Sequence, residues 1–419
     1  MKVAIIGGGP IGIEAALYAS VAGFDVQLFE RGRIGENNRT WGHVGMFTEW
    51  KRNRSPLGER LLHQRGDKLP DAEDFPNGNG LADYLIRLIS LPELKGKVLP
   101  QTQVLSLTRD GLNKSDYFGE PHRASRQFRL VTKGIAGEKA RLFDAVLDCT
   151  GVYTSPNNVG IGGAKCVGET ALAPFIDYAI PDVAGADRLR FAGKHTVVVG
   201  SGHSAAQTAL AIADLMEKYS KTRLTWVVRR ALAIDGSLYY LDPNDIASGR
   251  RKLGERANQL VHDDRVRLRV NAQVESITRP SGRFNVQLSD GSTLDCDSIC
   301  AHTGFRPDQS LWSELQVSTN PATDGPGKLA QAILDSNRRA GVGLSTGYAE
   351  KLNEVENPEA NTTINAKELL KLDEPNFYVL GIKSYGRDAG FLIHNGFRQI
   401  RDVFQLLSGN ENFDLYGEL

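Results

Sequence analysis

Cysteine is scarce in this chain, methionine scarcer, and net charge is missing. Its 419 residues hold four cysteines and three methionines, and 50 Lys and Arg balance 50 Asp and Glu. A zero balance leaves no electrostatic footprint for nucleic acid or an anionic membrane surface, so neither is expected as a partner. No stretch approaches the roughly 20 apolar residues that cross a bilayer. The first strand starts at residue 2 and runs straight into a glycine turn, which leaves no room for a cleavable leader, and a cytoplasmic location is expected. Cys149, Cys166, Cys296 and Cys300 form no CxxC or CxxxxC pair. Cys296 and Cys300 read as members of one strand, about 13 Å apart along it, beyond the roughly 7 Å limit for a bridge. All four read as small core residues, and no metal is expected.

Hydrophobic residues at 41% and charged residues at 24% are ordinary for a globular enzyme, and the length suits two domains or more. The organising stretch is VAIIGGGPIGIEAALYASVAGFDVQLFE, Val3 to Glu30. An apolar run, a glycine turn, an alanine-rich helical pattern and a second apolar run ending in an acid predict strand, turn, helix, strand. Gly7 permits the tight turn, Gly9 lets backbone approach a pyrophosphate, and Gly12 lets helix and strand pack closely. Pro10 and Ile11 complete the turn, and the unpaired N–H groups at the start of the helix that follows suit a phosphate. Glu30 is placed to accept hydrogen bonds from a ribose diol and would repel a 2′-phosphate. An adenine dinucleotide with a free ribose is the implied ligand.

The next segment, Arg39 to Trp50, lacks regular periodicity and is rich in aromatics. Such a loop could cover a large planar ring. Leu81 to Leu91 predicts a helix, and Val104 to Leu107, Gln127 to Lys133 and Ala140 to Asp148 predict strands. The last runs into Thr150-Gly151, where glycine allows backbone close to a ligand.

A second unit repeats the pattern. His195 to Val199 predicts a strand, Gly200-Ser201-Gly202-His203-Ser204-Ala205 is GxGxxA, and Ala205, Ala209, Ile212 and Met216 share one helix face. The strand Leu224 to Val228 ends in Arg229-Arg230 instead of an acid. Arginine's planar fork suits a phosphate bidentately, so this site is expected to take NADPH, with His203 near the pyrophosphate. The hairpin Phe284 to Ala301, turning at Asp290-Gly291, leads to a second strand ending, Thr303-Gly304. Residues 309 to 375 are less legible and read as a lid or substrate wall. A strand from Phe377 to Ile382 and a helix from about Phe391 to Leu407 suggest that the chain returns to complete the first domain.

The paired GGGPIG and GSGHSA turns, each closing on Thr-Gly, resemble the flavoproteins with two dinucleotide-binding domains, the group of thioredoxin reductase-like enzymes and flavin-containing monooxygenases. GGGPIGIEAA and GRDAGFLIHNG resemble the bacillithiol disulfide reductase type, in which the residue after the fingerprint proline is the reactive cysteine; here it is Ile11. The resemblance implies an α/β fold of two Rossmann-like domains, with an NAD(P)H domain, 186–305, inserted in an FAD domain, 1–185 and 306–419. It implies FAD contacts from Gly7, Gly9, Pro10, Ile11, Gly12, Glu30, Arg31, Arg39, Trp41, Val44, Val104, Thr150, Gly151, Gly381, Gly390 and Phe391. NADPH contacts are expected from Gly200, Gly202, His203, Ser204, Arg229, Arg230, Thr303 and Gly304. His43, Arg387 and His394 are candidate catalytic residues.

The expected activity is an FAD- and NADPH-dependent monooxygenase that oxygenates a small-molecule substrate through a flavin hydroperoxide. The alternative is a reductase delivering electrons to a low-molecular-weight disulfide, a quinone or a protein partner, and a third reading is a nucleotide-binding sensor. Homo-oligomer formation is left open.

Overall fold

The computed structural model describes residues 1–241, 247–339 and 366–417. They belong to two compact units: Met1–Arg39, Glu49–Ser155 and Phe305–Leu419 in the first, Thr40–Thr48 and Pro156–Gly304 in the second. Part of the expected lid, residues 340–365, lies outside the described residues.

The first unit is built on a parallel sheet in the order Phe377–Val379, Ala145–Asp148, Lys2–Ile6, Asp25–Phe29, Val98–Leu99. Strands buried on both faces need continuous apolar runs, and Val3 to Ile6 and Ala145 to Leu147 supply them. The strand near the C-terminus lies against Ala145–Asp148, so the chain does return to its first sheet. A separate antiparallel sheet contains Gln103–Arg109, Phe128–Gly134 and Gly137–Phe143.

The second unit repeats this design. Its parallel sheet runs Val266–Arg269, Arg223–Val227, His195–Val199, Ser298–Ala301, and its antiparallel sheet contains Val274–Thr278, Phe284–Leu288 and Thr293–Cys296. The duplication extends to single hydrogen bonds. Lys2 N–H donates to the Asp144 carboxylate at 2.6 Å, and His195 N–H donates to Asp297 at 2.8 Å. In both units the same aspartate's backbone N–H donates to the carbonyl of that first-strand residue.

Those aspartates correct two expectations. Ala140 to Asp148 is not one strand but two in different sheets, broken at Asp144. The expected hairpin arm reaching Ala301 is likewise broken at Asp297, so Cys296 and Cys300 lie in different strands; both are free thiols. The division between units also differs from the expected 185/186 boundary. Residues 156–185 pack with the second unit, where Gly160, Val167 and Asp177 form bridges to Val274, Ser276 and Cys300. Glu169 anchors this arm: its buried carboxylate accepts from Val159 N–H, Cys166 N–H and the Tyr178 hydroxyl.

The helix Pro10–Val21 is buried from Ile11 through Ala19, so it is apolar almost all round and has a core to match. Its one acid, Glu14, is 1% exposed. Burial pushes its pKa up to about 7, and the Ser55 and Tyr416 hydroxyls beside it lower it only partly. The folded chain therefore holds a proton that the unfolded chain releases near 4.5. The stability contributed by this group is greatest below that value and falls as pH rises toward 7, by an amount on the order of 3 kcal/mol. Glu14→Gln should leave the denaturation midpoint unchanged at pH 4 and raise it at pH 8; a difference independent of pH would contradict the assignment.

Candidate functional site

Each unit presents a glycine turn between its first strand and the following helix. In the first, Gly7 has φ +110°, a conformation that favours glycine. A Cβ at Gly12 would lie 1.9 Å from the Gly7 carbonyl oxygen, whereas a Cβ at Gly9 would meet nothing within 4 Å. The turn is thus closed beneath and open at Gly9, and the helix behind it has proline in its first turn and no side-chain cap. That open, uncapped N-terminus fits a dinucleotide pyrophosphate.

Glu30 stands at the end of the neighbouring strand, with Oε2 accepting from Gly8 N–H at 2.6 Å and Oε1 from Gly32 N–H at 2.7 Å. Two carboxylate oxygens carry about four acceptor sites, so the pair of backbone bonds fixes the side chain and leaves capacity for ribose hydroxyls. Arg31 beside it is exposed. Arg39 is held by Asp83 at 2.9 Å. Val104 lies at the edge of the first unit's core, beside a register shift in its strand.

Around the same turn the structure adds a group that sequence reasoning missed. Asp148, fully buried at the end of its strand, pairs with Lys383, 1% exposed, at 2.7 Å. Lys383 also donates to the Thr150 hydroxyl at 2.9 Å, and that hydroxyl donates to Asp148 at 2.7 Å. The relay fixes Thr150-Gly151, and the Lys383 ammonium sits 4.5 Å from the Trp312 ring centroid. The available signal was an acid closing an otherwise apolar buried strand, which must find a cation.

Ile11, 7% exposed, lies between Gly381 and Gly396: Cβ atoms there would come within 3.2 Å and 2.2 Å of its side chain. This brings the first helix, the turn Gly381–Tyr385 and the last helix, Ile393–Ser408, together. Gly390 N–H donates to Asp388 at 2.7 Å, and the Phe391 ring meets Tyr385 edge-on at 5.2 Å. Of the catalytic candidates, Arg387 is committed to Asp324 at 2.5 Å. Burial, with Arg398 and Arg52 nearby, brings His394 down to about 4, so it is neutral near pH 7.

Residues 40–48, including Trp41, His43 and Val44, group with the second unit. His43 is exposed, and Phe47 meets the His203 ring at 5.6 Å. The loop expected to cover a flavin is therefore grouped with the second turn.

In that turn Gly200 has φ +123°, and a Cβ at Gly202 would meet nothing within 4 Å. Trp226 Nε1–H donates to the Gly200 carbonyl at 2.8 Å and the Tyr239 hydroxyl to the Gly202 carbonyl at 3.0 Å. Ser204 follows in the first turn of the helix His203–Lys218. Arg229 and Arg230 are exposed just beyond the strand, and Arg230 donates to the Leu238 carbonyl. Thr303 and Gly304 are clasped by Asn157: Thr303 Oγ1–H donates to its carbonyl at 2.8 Å, and its N–H donates to Gly304 at 2.9 Å. His302, against Thr208 at 2.8 Å, is pushed by burial down to about 4 and is a neutral core residue.

Two parallel sheets, each with a glycine turn feeding a helix, define a two-domain FAD/NAD(P)-binding oxidoreductase fold. Residues 1–324 match the family described as pyridine nucleotide-disulphide oxidoreductase, and the chain belongs to that family. Its FAD and NADPH cofactors are those expected from the two turns. The chain is similar to flavin-containing monooxygenase 1 of Oryctolagus cuniculus, 25% identical over 244 residues, covering 55% of this chain and 41% of that one. It thus spans about two fifths of the length of the curated relatives it matches. Among solved structures it resembles the bacillithiol disulfide reductase of Bacillus cereus, with TM-score 0.64, 18% identity, and coverage of 98% of this chain and 100% of that one. It also resembles the cadaverine monooxygenase of the desferrioxamine pathway of Erwinia amylovora, solved with FAD, with TM-score 0.64, 12% identity, and coverage of 100% and 96%. Among the described residues no helix is long and apolar enough to cross a membrane.

Proposed function

We propose that this chain is an FAD-dependent, NADPH-consuming monooxygenase that oxygenates a small molecule at a nucleophilic nitrogen or sulfur, or beside a ketone. The observation that carries the reading is the absence of a usable thiol. The residue after the fingerprint proline is Ile11, wedged between two glycines. All four cysteines are buried and free. Burial pushes Cys166 and Cys296 up to about 12 and holds Cys149 and Cys300 well above the ordinary thiol range. A thiol that does not ionise is neither nucleophile nor electron relay, which leaves oxygen as the most economical acceptor.

In this reading Gly7 to Gly12, Glu30 and Thr150-Gly151 hold FAD, with Asp148 and Lys383 bracing the last pair. Gly200 to Ser204 hold the NADPH pyrophosphate, and Arg229 and Arg230 its 2′-phosphate. Bound there, the cofactors supply hydride and oxygen chemistry, and the protein supplies geometry and access. The balance is NADPH, a proton, O₂ and substrate giving NADP⁺, water and oxygenated substrate.

The test is NADPH oxidation by the FAD-loaded protein over a panel of amines, sulfides and ketones, with ¹⁸O₂. A substrate should accelerate oxidation only in oxygen and carry one labelled atom away. Anaerobic turnover with a disulfide or quinone, without label transfer, would make the chain a reductase. Slow oxidation indifferent to every substrate would favour a sensor.

A further inference from the structure

The two glycine turns differ at their third small residue, and two aromatic side chains sit where that difference has to be absorbed. In the first turn the Gly7 carbonyl oxygen occupies the space a Cβ on Gly12 would need, 1.9 Å from it. The equivalent residue of the second turn is Ala205, fully buried and carrying that Cβ. The Gly200 carbonyl cannot take the position the Gly7 carbonyl takes. It accepts instead from Trp226 Nε1–H at 2.8 Å. Two residues on, the Gly202 carbonyl accepts both Ala206 N–H at 3.1 Å and the Tyr239 hydroxyl at 3.0 Å.

A planar trans peptide points its C=O and N–H in opposite directions. Holding the Gly200 and Gly202 carbonyls therefore also aims Ser201 N–H and His203 N–H. Both holding side chains are rigidly placed. Trp226 is fully buried, Tyr239 is 6% exposed, and their rings are 6.4 Å apart. The Asn258 side chain accepts from Leu238 N–H and Tyr239 N–H at 3.0 Å and 2.8 Å and donates to the Tyr239 carbonyl at 2.8 Å. Arg230 donates to Leu238 in the same strap. The His203 ring is also met by this strap's Tyr239, at 5.9 Å, and by Phe47, at 5.6 Å.

We propose that Trp226 and Tyr239 are positioning residues of the second turn: they hold the Gly200 and Gly202 carbonyls so that the adjoining N–H groups face a dinucleotide pyrophosphate. Trp226 thereby compensates for Ala205 in place of the third glycine. The proposal rests on the second turn being the NADPH site. The strap through Leu238 and Tyr239 further ties the pyrophosphate turn to Arg230.

Trp226→Phe removes the indole N–H, and Tyr239→Phe removes a single oxygen and keeps the ring. NADP⁺ affinity is measured by calorimetry on FAD-loaded protein, with FAD stoichiometry and melting temperature alongside. Each substitution should weaken NADP⁺ roughly three- to tenfold, the range expected for one net hydrogen bond. FAD stoichiometry should not move, and the kinetic loss should fall on KM for NADPH more than on kcat. Adding Ala205→Gly to Trp226→Phe should restore most of the affinity. Parent-like NADP⁺ affinity in both single variants would overturn the proposal, and an equal loss with and without Gly at 205 would overturn the compensation. Where Trp226→Phe loses its fold, Tyr239→Phe alone decides. A parent protein that binds FAD but not NADP⁺ would instead overturn the nucleotide reading, a distinct result.

Discussion

Gly12→Ala should yield a protein that does not retain FAD. The added methyl would sit 1.9 Å from the Gly7 carbonyl oxygen and 3.0 Å from its carbonyl carbon. Both are backbone atoms of the turn that must cradle the pyrophosphate, so no side chain can swing away. Relief requires the helix Pro10–Val21 to move off the sheet or the turn to open. Overpacking of this kind costs about 1–3 kcal/mol or more, and spent on the turn the upper figure corresponds to a loss of affinity on the order of 100-fold. Gly9→Ala is the contrasting case, since its methyl meets nothing within 4 Å in the protein itself. It should fold like the parent and lose flavin only through encroachment on the ligand. Flavin absorbance after gel filtration, with melting curves for both variants, checks this. A Gly12→Ala protein as yellow as the parent would show that the turn does not hold the cofactor.

Glu374→Ala should be the most destabilising single change away from the turns. Its carboxylate is fully buried between Arg109 at 2.6 Å and Arg123 at 2.8 Å, both guanidiniums also withdrawn from water. It further accepts Gln316 N–H at 2.9 Å. Arg109 lies over the Phe128 ring at 3.7 Å, and burial pulls its pKa below the ordinary arginine value. Removing the acid leaves two buried cations facing each other, a loss of about 3–5 kcal/mol. Replacing all three residues by apolar ones of similar volume should recover much of it, because the triad's net worth is small once desolvation is counted. Denaturant midpoints for the single and triple variants test both statements; a Glu374→Ala cost under about 1 kcal/mol would contradict the first.

Much of the fold was readable because strands and glycine turns leave local marks. The runs at Val3 to Ile6 and Thr196 to Val199, each stopped by glycine, became the central strands of the two parallel sheets. What escaped was encoded over distance or in one residue. Asp144 and Asp297 each separate two strands by a single residue, so each pair of strands read as one. The arm 156–185 was expected in the first domain because what anchors it in the second unit, Glu169 on two backbone N–H groups and Tyr178, has no periodicity. The Glu374 triad joins residues 251 and 265 positions apart. Lys383 could be placed beside Asp148 only once the last strand was known to lie next to Ala145–Asp148. The aromatic segment at 40–48 read as a cover for a planar ring, whereas its Phe47 meets His203, more than a hundred residues on in the chain.

The proposed function stands on two turns of unlike polarity, one acidic and assigned to FAD, the other flanked by arginines and assigned to NADPH. Anaerobic titration of the purified chain with NADPH and NADH, followed at the flavin absorbance band, tests it directly in the parent and in an Arg229→Ala/Arg230→Ala variant. The parent should carry equimolar FAD and be reduced preferentially by NADPH. The variant should keep its FAD and lose roughly 10- to 100-fold of that preference, the worth of a charge-assisted contact. A colourless protein that cannot be reconstituted with FAD, or a preference between the two nicotinamides unmoved by loss of both arginines, would contradict it.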